Sequence, residues 1–267
     1  MDVYIIKVGG AIVEDETRLE QLVSNFAAIP GPKILVHGGG RRATKVASAL
    51  GIESRMVNGR RITDDKMLEV VTMVYGGLVN KNLVACLQAK GVNALGLTGA
   101  DMDVIRSHRR PPVKMKLEGD AKTEQTVDFG FVGDVDRVDG ERLHGLIADG
   151  LVPVMAPLTH DGEGHILNTN ADTIASETAK ALAPFCDVTL IYCFEKPGVL
   201  TNPDDDSTVL PTIRRDDFEQ LVENGTVSGG MIPKLQNALA AVEAGVKRVI
   251  ITKADAIDGK HGTVITR

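Results

Sequence analysis

Two glycine-rich turns stand out because each directly follows a short apolar run. Lys7 is followed by Gly9-Gly10, and His37 is followed by three glycines at 38–40. Glycine lets the backbone approach a ligand closely, and the N–H groups of such a turn bind anions near a helix N-terminus. A single turn of this kind is commonly no more than a tight connection. Two of them together favour phosphate binding.

The spacing of these glycines excludes two common phosphate-binding motifs. Neither turn matches GxGxxG, and the chain has no GxxxxGK[ST] segment, so neither a dinucleotide fold nor a Walker loop is indicated. This disfavours an NAD-dependent dehydrogenase in which His37 would act as acid or base. Beside three glycines, His37 is expected to shape the loop instead.

A third glycine element, Ser228 to Lys234, precedes a long helical pattern. Pro233 suits the first turn of that helix, and Lys234 then lies close to its positive end. A lysine in this position is often only solvated or paired with a carboxylate. Combined with Lys7, it can instead stabilise the charge on a phosphoryl group in transfer. The two lysines are therefore candidates for one site.

Short apolar runs and helix-like stretches alternate along the chain, which is typical of a layered α/β fold with a mainly parallel sheet. The predicted strands are Val3–Val8, Lys33–Val36, Val92–Leu97, Leu151–Met155, Val188–Tyr192 and Val249–Thr252. The predicted helices are Thr17–Ala28, Ala43–Leu50, Asp64–Lys90, Asp172–Leu182 and Lys234–Ala244.

Two polar segments interrupt this alternation. Arg106–Val127 lacks a clear period and is predicted to be a surface hairpin or mobile loop. Asn202–Thr208 carries three consecutive aspartates, which we interpret as a solvated turn, with a metal site as the alternative. We do not expect Arg106–Val127 to be a domain linker.

Composition excludes several classes of protein. The net charge of -6 over 267 residues argues against a dedicated nucleic-acid surface. The three cysteines form no CxxC pair and no zinc pattern, so we expect reduced thiols packed in the core. No apolar run reaches the roughly 18 residues of a membrane span, and no signal-type segment is evident. These features predict a cytoplasmic protein that does not associate with a membrane.

Five motifs follow one another along the chain. They are Lys7-Val8-Gly9-Gly10, His37-Gly38-Gly39-Gly40, Asn58-Gly59-Arg60-Arg61-Ile62-Thr63, Asn168-Thr169-Asn170-Ala171-Asp172 and Ser228-Gly229-Gly230-Met231-Ile232-Pro233-Lys234. Their order is the one seen in the acetylglutamate kinases, and the chain resembles this group of the amino-acid kinase family over nearly its whole length. The asparagine-rich block and the Ser228–Lys234 block are specific, whereas a paired glycine alone is not.

The resemblance implies a three-layer αβα sandwich with a central, mainly parallel sheet. It implies one amino-acid kinase domain over 1–267, with an acylglutamate-binding lobe at about 1–180 and a nucleotide-binding lobe at about 181–267. Family members without an extra N-terminal helix are typically homodimers that arginine does not inhibit. Since this chain starts at its first strand, the resemblance leads us to expect a homodimer.

The implied activity is ATP-dependent phosphorylation of the γ-carboxylate of N-acetyl-L-glutamate, a step of arginine biosynthesis. The carboxylate is already ionised near neutral pH, so no general base is required. The difficulty is to bring one anion against a polyphosphate, which calls for positioning and focused positive charge. Mg²⁺ is expected to bind through the phosphate oxygens of ATP, with no metal site built by the protein.

The resemblance also implies a role for individual residues. Lys7 and Lys234 would flank the transferring phosphoryl group, and Asp172 would orient both, with a helix N-cap as its alternative role. Arg61 would hold the α-carboxylate of the substrate through two parallel hydrogen bonds. The other implied substrate-binding residues are Gly39, Gly40 and Asn168. The implied nucleotide-binding residues are Gly9, Gly10, Glu195, Lys196, Pro197, Gly198, Val199, Leu200, Thr226, Val227 and Ser228.

The chain departs from the family pattern in two places. The usual Asp-Val-Pro-Gly-Val-Leu is replaced by Glu195 to Leu200, which leaves the nucleotide contacts of that segment open. Arg41, Arg42 and Arg60 are additional cations. They raise N-succinyl-L-glutamate as an alternative substrate, because one of them could bind its extra carboxylate. The other interpretation is that these arginines are solvated or lie at a dimer contact.

Rival functions remain open at this point. Aspartate, carbamate and uridylate kinases share the implied fold, but the motifs at 58–61 and 168–172 favour an acylglutamate. From another class, the chain could be a nucleotide-binding regulatory module without turnover. The presence of Lys7, Asp172 and Lys234 together argues against that alternative.

Overall fold

The computed structural model describes residues 1–117, 120–227 and 231–267, and its centre is one eight-stranded sheet. All neighbouring strands of this sheet are parallel except the antiparallel pair β15 and β16. From edge to edge the strands are β14 (Thr212–Arg214), β16 (Thr263–Thr266), β15 (Arg248–Lys253), β13 (Asp187–Phe194), β1 (Asp2–Val8), β2 (Lys33–His37), β10 (Val152–Met155) and β5 (Ala94–Leu97).

Helices cover both faces of the sheet because successive residues of each strand point to opposite sides. In β1, Ile5 packs into one apolar core and Ile6 packs into the other. The helices are α1 (Gly10–Glu14), α2 (Glu16–Ala28), α3 (Gly40–Ala49), α4 (Asp65–Val71), α5 (Asn80–Gln88), α6 (Gly140–Ala148), α7 (Ala171–Leu182), α8 (Arg215–Glu223) and α9 (Met231–Glu243). The first five contribute to one core and the last four to the other. The predicted three-layer sandwich is confirmed.

All six predicted strands are found in the central sheet, with ends that differ from the predicted bounds by at most two residues. The five predicted helices are also present. The second of them, α3, begins at Gly40, three residues earlier than predicted. Glycine is a poor helix former, which is why an apolar pattern alone placed the start too late.

A second, four-stranded sheet was not predicted. It consists of β12 (Ile166–Asn168), β11 (Leu158–His160), β6 (Ile105–Arg109) and β9 (Gly133–Val138), in that order. Two further pairs are β3 (Met56–Val57) with β4 (Arg60–Arg61), and β7 (Val113–Leu117) with β8 (Asp120–Val127). The predicted hairpin at 106–127 therefore exists as β7 and β8, but its first residues belong to the second sheet.

The long helical stretch predicted at 64–90 contains a π-helical segment, Thr72–Val79, between α4 and α5. By length and composition alone, Asp65–Gln88 could cross a membrane. However, Met67, Val70 and Leu83 are fully buried in the core. The core helix of a globular protein satisfies the same criteria, and we interpret this stretch as one.

Candidate active site

The main cleft opens where β1, β2 and β13 end. The carboxyl ends of parallel strands lie at one edge of a sheet, and ligands commonly bind in the crevice there. The cleft encloses about 1150 Å³ and contains residues from both of the predicted lobes. Its lining includes Lys7, Gly9, Gly10, Gly40, Arg41, Asp172, Phe194, Glu195, Lys196, Gly198, Lys234, Lys253 and Asp255.

Lys7 and Asp172 form an ion pair in this cleft. The Lys7 Nζ lies 2.7 Å from the Asp172 Oδ1, and their side chains are 11% and 28% exposed. Asp172 stands in the first turn of α7. The N-cap of that helix is Asn170, whose side chain accepts hydrogen bonds from the backbone N–H groups of Asp172 and Thr173. The alternative role of Asp172 as the helix cap is therefore wrong.

Lys234 reaches the same place from the first turn of α9. Its Nζ lies 4.0 Å from the ring centre of Phe194, and the Lys7 Nζ lies 5.9 Å from that centre. The pKa of Lys234 is lowered, mainly by burial. The charge of Asp172 acts in the opposite direction, and the charge of Lys7 lowers the pKa further. The two lysines thus converge, although they come from opposite ends of the chain.

The two glycine turns pack backbone against backbone. A Cβ atom added to Gly10 would lie 3.3 Å from the backbone N of Gly39, and one added to Gly38 would lie 3.0 Å from the backbone N of Gly10. A Cβ atom on Gly39 would lie 2.8 Å from the ring of Tyr75. Side chains at these positions would force the loops apart. Glycine here permits the two loops to approach each other and the ring of Tyr75 closely.

His37 holds the second glycine turn from behind. Its ring is fully buried, and burial lowers its pKa to about 4. Asn80 donates to the His37 Nε2 at 3.1 Å, so the proton is on Nδ1, which donates to the Gly38 carbonyl at 2.9 Å. His37 therefore shapes the loop, as expected, and is neutral near pH 7.

Arg61 connects the glycine turn to the region where the substrate is expected. It is 8% exposed, and its Nη2 donates to the Gly40 carbonyl at 2.9 Å and to the Thr44 Oγ1 at 2.8 Å. Its Nη1 donates to the Ser54 Oγ at 2.9 Å. Within the described part of the chain, no carboxylate lies within ion-pair distance of this buried guanidinium. Buried charges are normally paired, so the arrangement calls for an anionic ligand.

Asn168 lies at the end of β12, one strand of the second sheet. Its Nδ2 donates to the Thr63 Oγ1 at 2.9 Å. Thr63 is fully buried and lies two residues beyond Arg61. The second sheet, which was not predicted, thereby brings Asn168 close to the Asn58–Thr63 motif.

The predicted nucleotide segment packs against β16, the strand next to the edge of the central sheet. A Cβ atom on Gly198 would lie 2.7 Å from the Thr263 Oγ1, and that hydroxyl accepts a hydrogen bond from the Val199 N–H at 2.8 Å. The chain at Gly198 and Val199 therefore packs closely on β16. Thr226 and the buried Val227 follow α8. Ser228, with Gly229 and Gly230, lies outside the described residues.

Two lysines, Lys196 and Lys253, line the cleft beside the segment Glu195–Leu200. Asp206 accepts from Lys253 at 2.7 Å and from Lys196 at 3.3 Å. The hydrogen bond from Lys253 is the main reason that the pKa of Asp206 is lowered. The aspartate-rich turn at 202–208 thus holds two cations beside the cleft. Among the described residues, no group of three or more His, Cys, Asp or Glu is placed to hold a metal ion.

The three additional arginines lie in different settings. Arg41 lines the cleft, with its Nη2 3.7 Å from the Glu195 Oε1. Arg42 lines a separate groove of about 440 Å³. Arg60 lies near Arg110 and near Asp134 of β9. The pKa of Arg60 is lowered mainly by burial; the charge of Arg110 lowers it further, and the charge of Asp134 raises it. The arginines therefore do not form one anion-binding cluster.

Sequence reasoning missed three residues that the fold brings to this region: Tyr75, Phe194 and Lys253. The hydrophobic periodicity of the sequence does not indicate where the Tyr75 side chain lies, because this residue is in the π-helical segment. Phe194 and Lys253 lie one or more residues beyond the predicted ends of β13 and β15. Extending β13 to the end of its apolar run would have placed Phe194 at the cleft, whereas no apolar signal reaches Lys253.

Comparison with known proteins gives a consistent result. The model of the amino acid kinase family matches residues 2–253. An acetylglutamate kinase from Bacteroides thetaiotaomicron is 63% identical over 263 residues, which cover 98% of each chain. One from Phocaeicola vulgatus is 62% identical with the same coverage. Among solved structures, smu.665 from Streptococcus mutans has a TM-score of 0.76 at 28% identity, covering 99% of this chain and 98% of that one.

Proposed function

This chain belongs to the amino acid kinase family, and from that premise we propose that it uses MgATP to phosphorylate the γ-carboxylate of N-acetyl-L-glutamate in arginine biosynthesis. It is a kinase with a carboxyl group as acceptor. The observation that carries the proposal is the convergence of the Lys7 and Lys234 ammonium groups beside Asp172, at the glycine turns. This is the arrangement that phosphoryl transfer to an anion requires.

The chemistry needs no base from the protein. A carboxylate oxygen of the substrate attacks the γ-phosphorus of ATP, a new P–O bond forms, and the bond to the β,γ-bridging oxygen breaks. The products are the acyl phosphate and ADP. Negative charge spreads over the transferring group, and stabilising that charge is the main contribution available to the enzyme.

We assign the stabilisation to the two lysines. The Lys7 ammonium is held by Asp172 at 2.7 Å, which fixes its position without a bound nucleotide. Lys234 approaches from the nucleotide side on α9. Gly10, Gly39 and Gly40 bring backbone N–H groups to the same place, where they can donate to phosphate or to the reacting carboxylate.

Arg61 and Asn168 are proposed to bind the rest of the acetylglutamate. Arg61 is buried and has no carboxylate partner in the described ranges. The α-carboxylate of the substrate would supply the negative charge that pairs with its guanidinium. The Thr63–Asn168 contact places an amide nearby that can bind the acyl amide. The roles of both residues rest on this charge and hydrogen-bond complementarity.

The nucleotide is proposed to lie along Glu195–Leu200 and Thr226–Ser228, beside α9. Gly9 and Gly10 would approach its phosphates. Mg²⁺ would enter as MgATP, held by phosphate oxygens. The Asp172 carboxylate is already engaged by Lys7, which is consistent with a metal that the protein itself does not cage.

We further propose a cytoplasmic homodimer. Two apolar side chains of the long helix, Met73 and Leu78, are 54% and 39% exposed. Exposed apolar groups on a largely buried helix favour a protein contact. The alternative of N-succinyl-L-glutamate is not favoured, because the relatives at more than 60% identity are named acetylglutamate kinase.

A substrate panel with two readouts tests the proposed function. ADP formation and trapping of the acyl phosphate by hydroxylamine should both depend on N-acetyl-L-glutamate, in equal amounts. N-succinyl-L-glutamate, L-aspartate, carbamate and UMP serve as the alternative acceptors. ADP formation with one of these, but not with N-acetyl-L-glutamate, would overturn the assignment.

A further inference from the structure

An aromatic ring lies beside both of the lysines assigned to phosphoryl transfer. Phe194 is the last residue of β13, and its ring centre is 4.0 Å from the Lys234 Nζ and 5.9 Å from the Lys7 Nζ. The face of an aromatic ring carries partial negative charge and attracts an ammonium group within about 6 Å. Both contacts fall within that range.

The two lysines differ in what else holds them. Lys7 is paired with the Asp172 carboxylate at 2.7 Å. For Lys234, no carboxylate within residues 1–117, 120–227 and 231–267 lies at ion-pair distance, and its ammonium lies 4.0 Å from the centre of the Phe194 ring. The charges of Asp172 and Glu195 act on Lys234 from farther away, so the ring is the group that can hold this ammonium at short range.

The ring itself is fixed from behind. Tyr192 lies two residues earlier on β13, on the same face, and the two rings stack with centres 6.0 Å apart and planes inclined at 18°. The Tyr192 hydroxyl donates to the backbone carbonyl of Asp172 at 3.2 Å. One rigid aromatic pair thus connects α7, which carries Asp172, with both ammonium groups.

We infer that Phe194 is a positioning residue for phosphoryl transfer, whose ring face holds the ammonium groups of Lys234 and Lys7 over the cleft before ATP binds. This inference rests on the proposed function. A carboxylate at position 194 would also orient the lysines, but it would repel the triphosphate and offset the positive charge that the reaction uses. A ring orients the cations without adding a negative charge.

Fluorination of the ring separates this role from mere packing. Successive fluorine atoms withdraw charge from the ring face and weaken the attraction for a cation, while the ring keeps its shape. We would replace Phe194 with mono-, di-, tri- and pentafluorophenylalanine and measure kcat/KM for MgATP. We expect log kcat/KM to fall steadily with fluorination, by about tenfold in total, and thermal stability to change little.

A second readout follows the charge of Lys234. The groups facing this ammonium are Lys7, Asp172 and Glu195, and none of them is altered in the series. A weaker ring contact stabilises the protonated lysine less, so the basic limb of the kcat/KM profile should move to lower pH with each fluorine. A packing role for Phe194 would leave this limb in place.

Matched variants complete the test. The same series at Phe218, a buried ring of α8 with no cation over its face among the described residues, should leave kcat/KM unchanged. Phe194→Tyr should retain most of the activity and Phe194→Leu should lose about as much as the pentafluoro ring. An active wild type with a flat Phe194 series, or an equal slope at Phe218, would overturn the inference. A wild type without acetylglutamate-dependent turnover would instead overturn the proposed function.

Discussion

The ammonium of Lys7 lies 2.7 Å from the carboxylate of Asp172, although one residue lies near the end of β1 and the other in the first turn of α7. The pair is only partly exposed to solvent, so its orientation persists without a ligand. Lys234, from a third part of the chain, lies over the ring of Phe194. The cleft therefore holds two ammonium groups beside one aromatic ring in the absence of any ligand.

Removing either lysine should reduce turnover with little effect on folding. We expect Lys7→Ala and Lys234→Ala each to lower kcat by about two orders of magnitude or more, the scale for losing a group that stabilises developing charge. Steady-state kinetics with N-acetyl-L-glutamate and MgATP would measure this. Lys180→Ala is the control, because Lys180 pairs with Glu177 on α7 outside the cleft. Near-normal kcat in both cleft variants would contradict the mechanism.

The lowered pKa of Lys234 has a consequence for pH dependence. The lysine must be protonated to act, so activity is lost as pH rises through its pKa, and burial brings that loss to a lower pH than for an ordinary lysine. Bound triphosphate supplies negative charge and should raise the pKa again. We therefore expect the basic limb of kcat/KM, which reports the free enzyme, to lie at lower pH than the basic limb of kcat. Coincident limbs would argue against Lys234 as the titrating group.

The glycine at position 39 should be required for packing against Tyr75. A Cβ atom there would lie 2.8 Å from the ring, so Gly39→Ala should destabilise the fold by about 1–3 kcal/mol, as measured by urea unfolding. Gly40→Ala is the matched variant, because its Cβ atom would lie 3.9 Å from both Arg61 and Tyr75, an ordinary contact. Its stability should be preserved. Equal stability of the two variants would show that Tyr75 yields to the added methyl group.

His37 should make stability depend on pH. Its pKa is about 4 in the folded protein and about 6.5 in the unfolded chain, so between these values the unfolded state binds more protons. The free energy of unfolding should therefore fall as pH decreases from 6.5 to 4, by roughly 3 kcal/mol, and this contribution should be constant below pH 4. Urea titrations across this range would measure the slope.

The His37→Gln variant checks the origin of that slope. It removes the titrating ring and should flatten the pH dependence in that window, while lowering the stability at pH 7 because the contacts to Asn80 and Gly38 change. His165→Gln removes an exposed imidazole and serves as the control. An unchanged slope in the His37 variant would assign it to carboxylates.

The proposed homodimer has its own test. Met73→Glu and Leu78→Glu place charges on the exposed side of the long helix, and burying these charges in a contact would be costly. We expect the double variant to sediment as a monomer in analytical ultracentrifugation while the wild type sediments as a dimer. A wild-type monomer, or a dimer that persists in the variant, would show that this face is not the contact.

Much of the fold could be predicted from local patterns. The six predicted strands are buried on both faces, and such strands appear in the sequence as continuous Val, Ile and Leu runs. The second sheet escaped prediction because its strands are short and carry polar residues, such as Ser107 and Thr159, that are buried only after the strands pair. The π-helical turn around Tyr75 escaped because no periodicity distinguishes it from the α-helix on either side.

By itself the sequence determined the alternation of strand and helix, the glycine turns, and the residue types needed for phosphoryl transfer, because each depends on a few neighbouring residues. Only the tertiary structure decided which side chains meet. It placed Lys234 over Phe194, capped α7 with Asn170 so that Asp172 could pair with Lys7, and left Arg61 buried without a carboxylate partner among the described residues. Such contacts join residues that are distant along the chain, and they are set by the order of strands in the sheet, which local sequence does not encode.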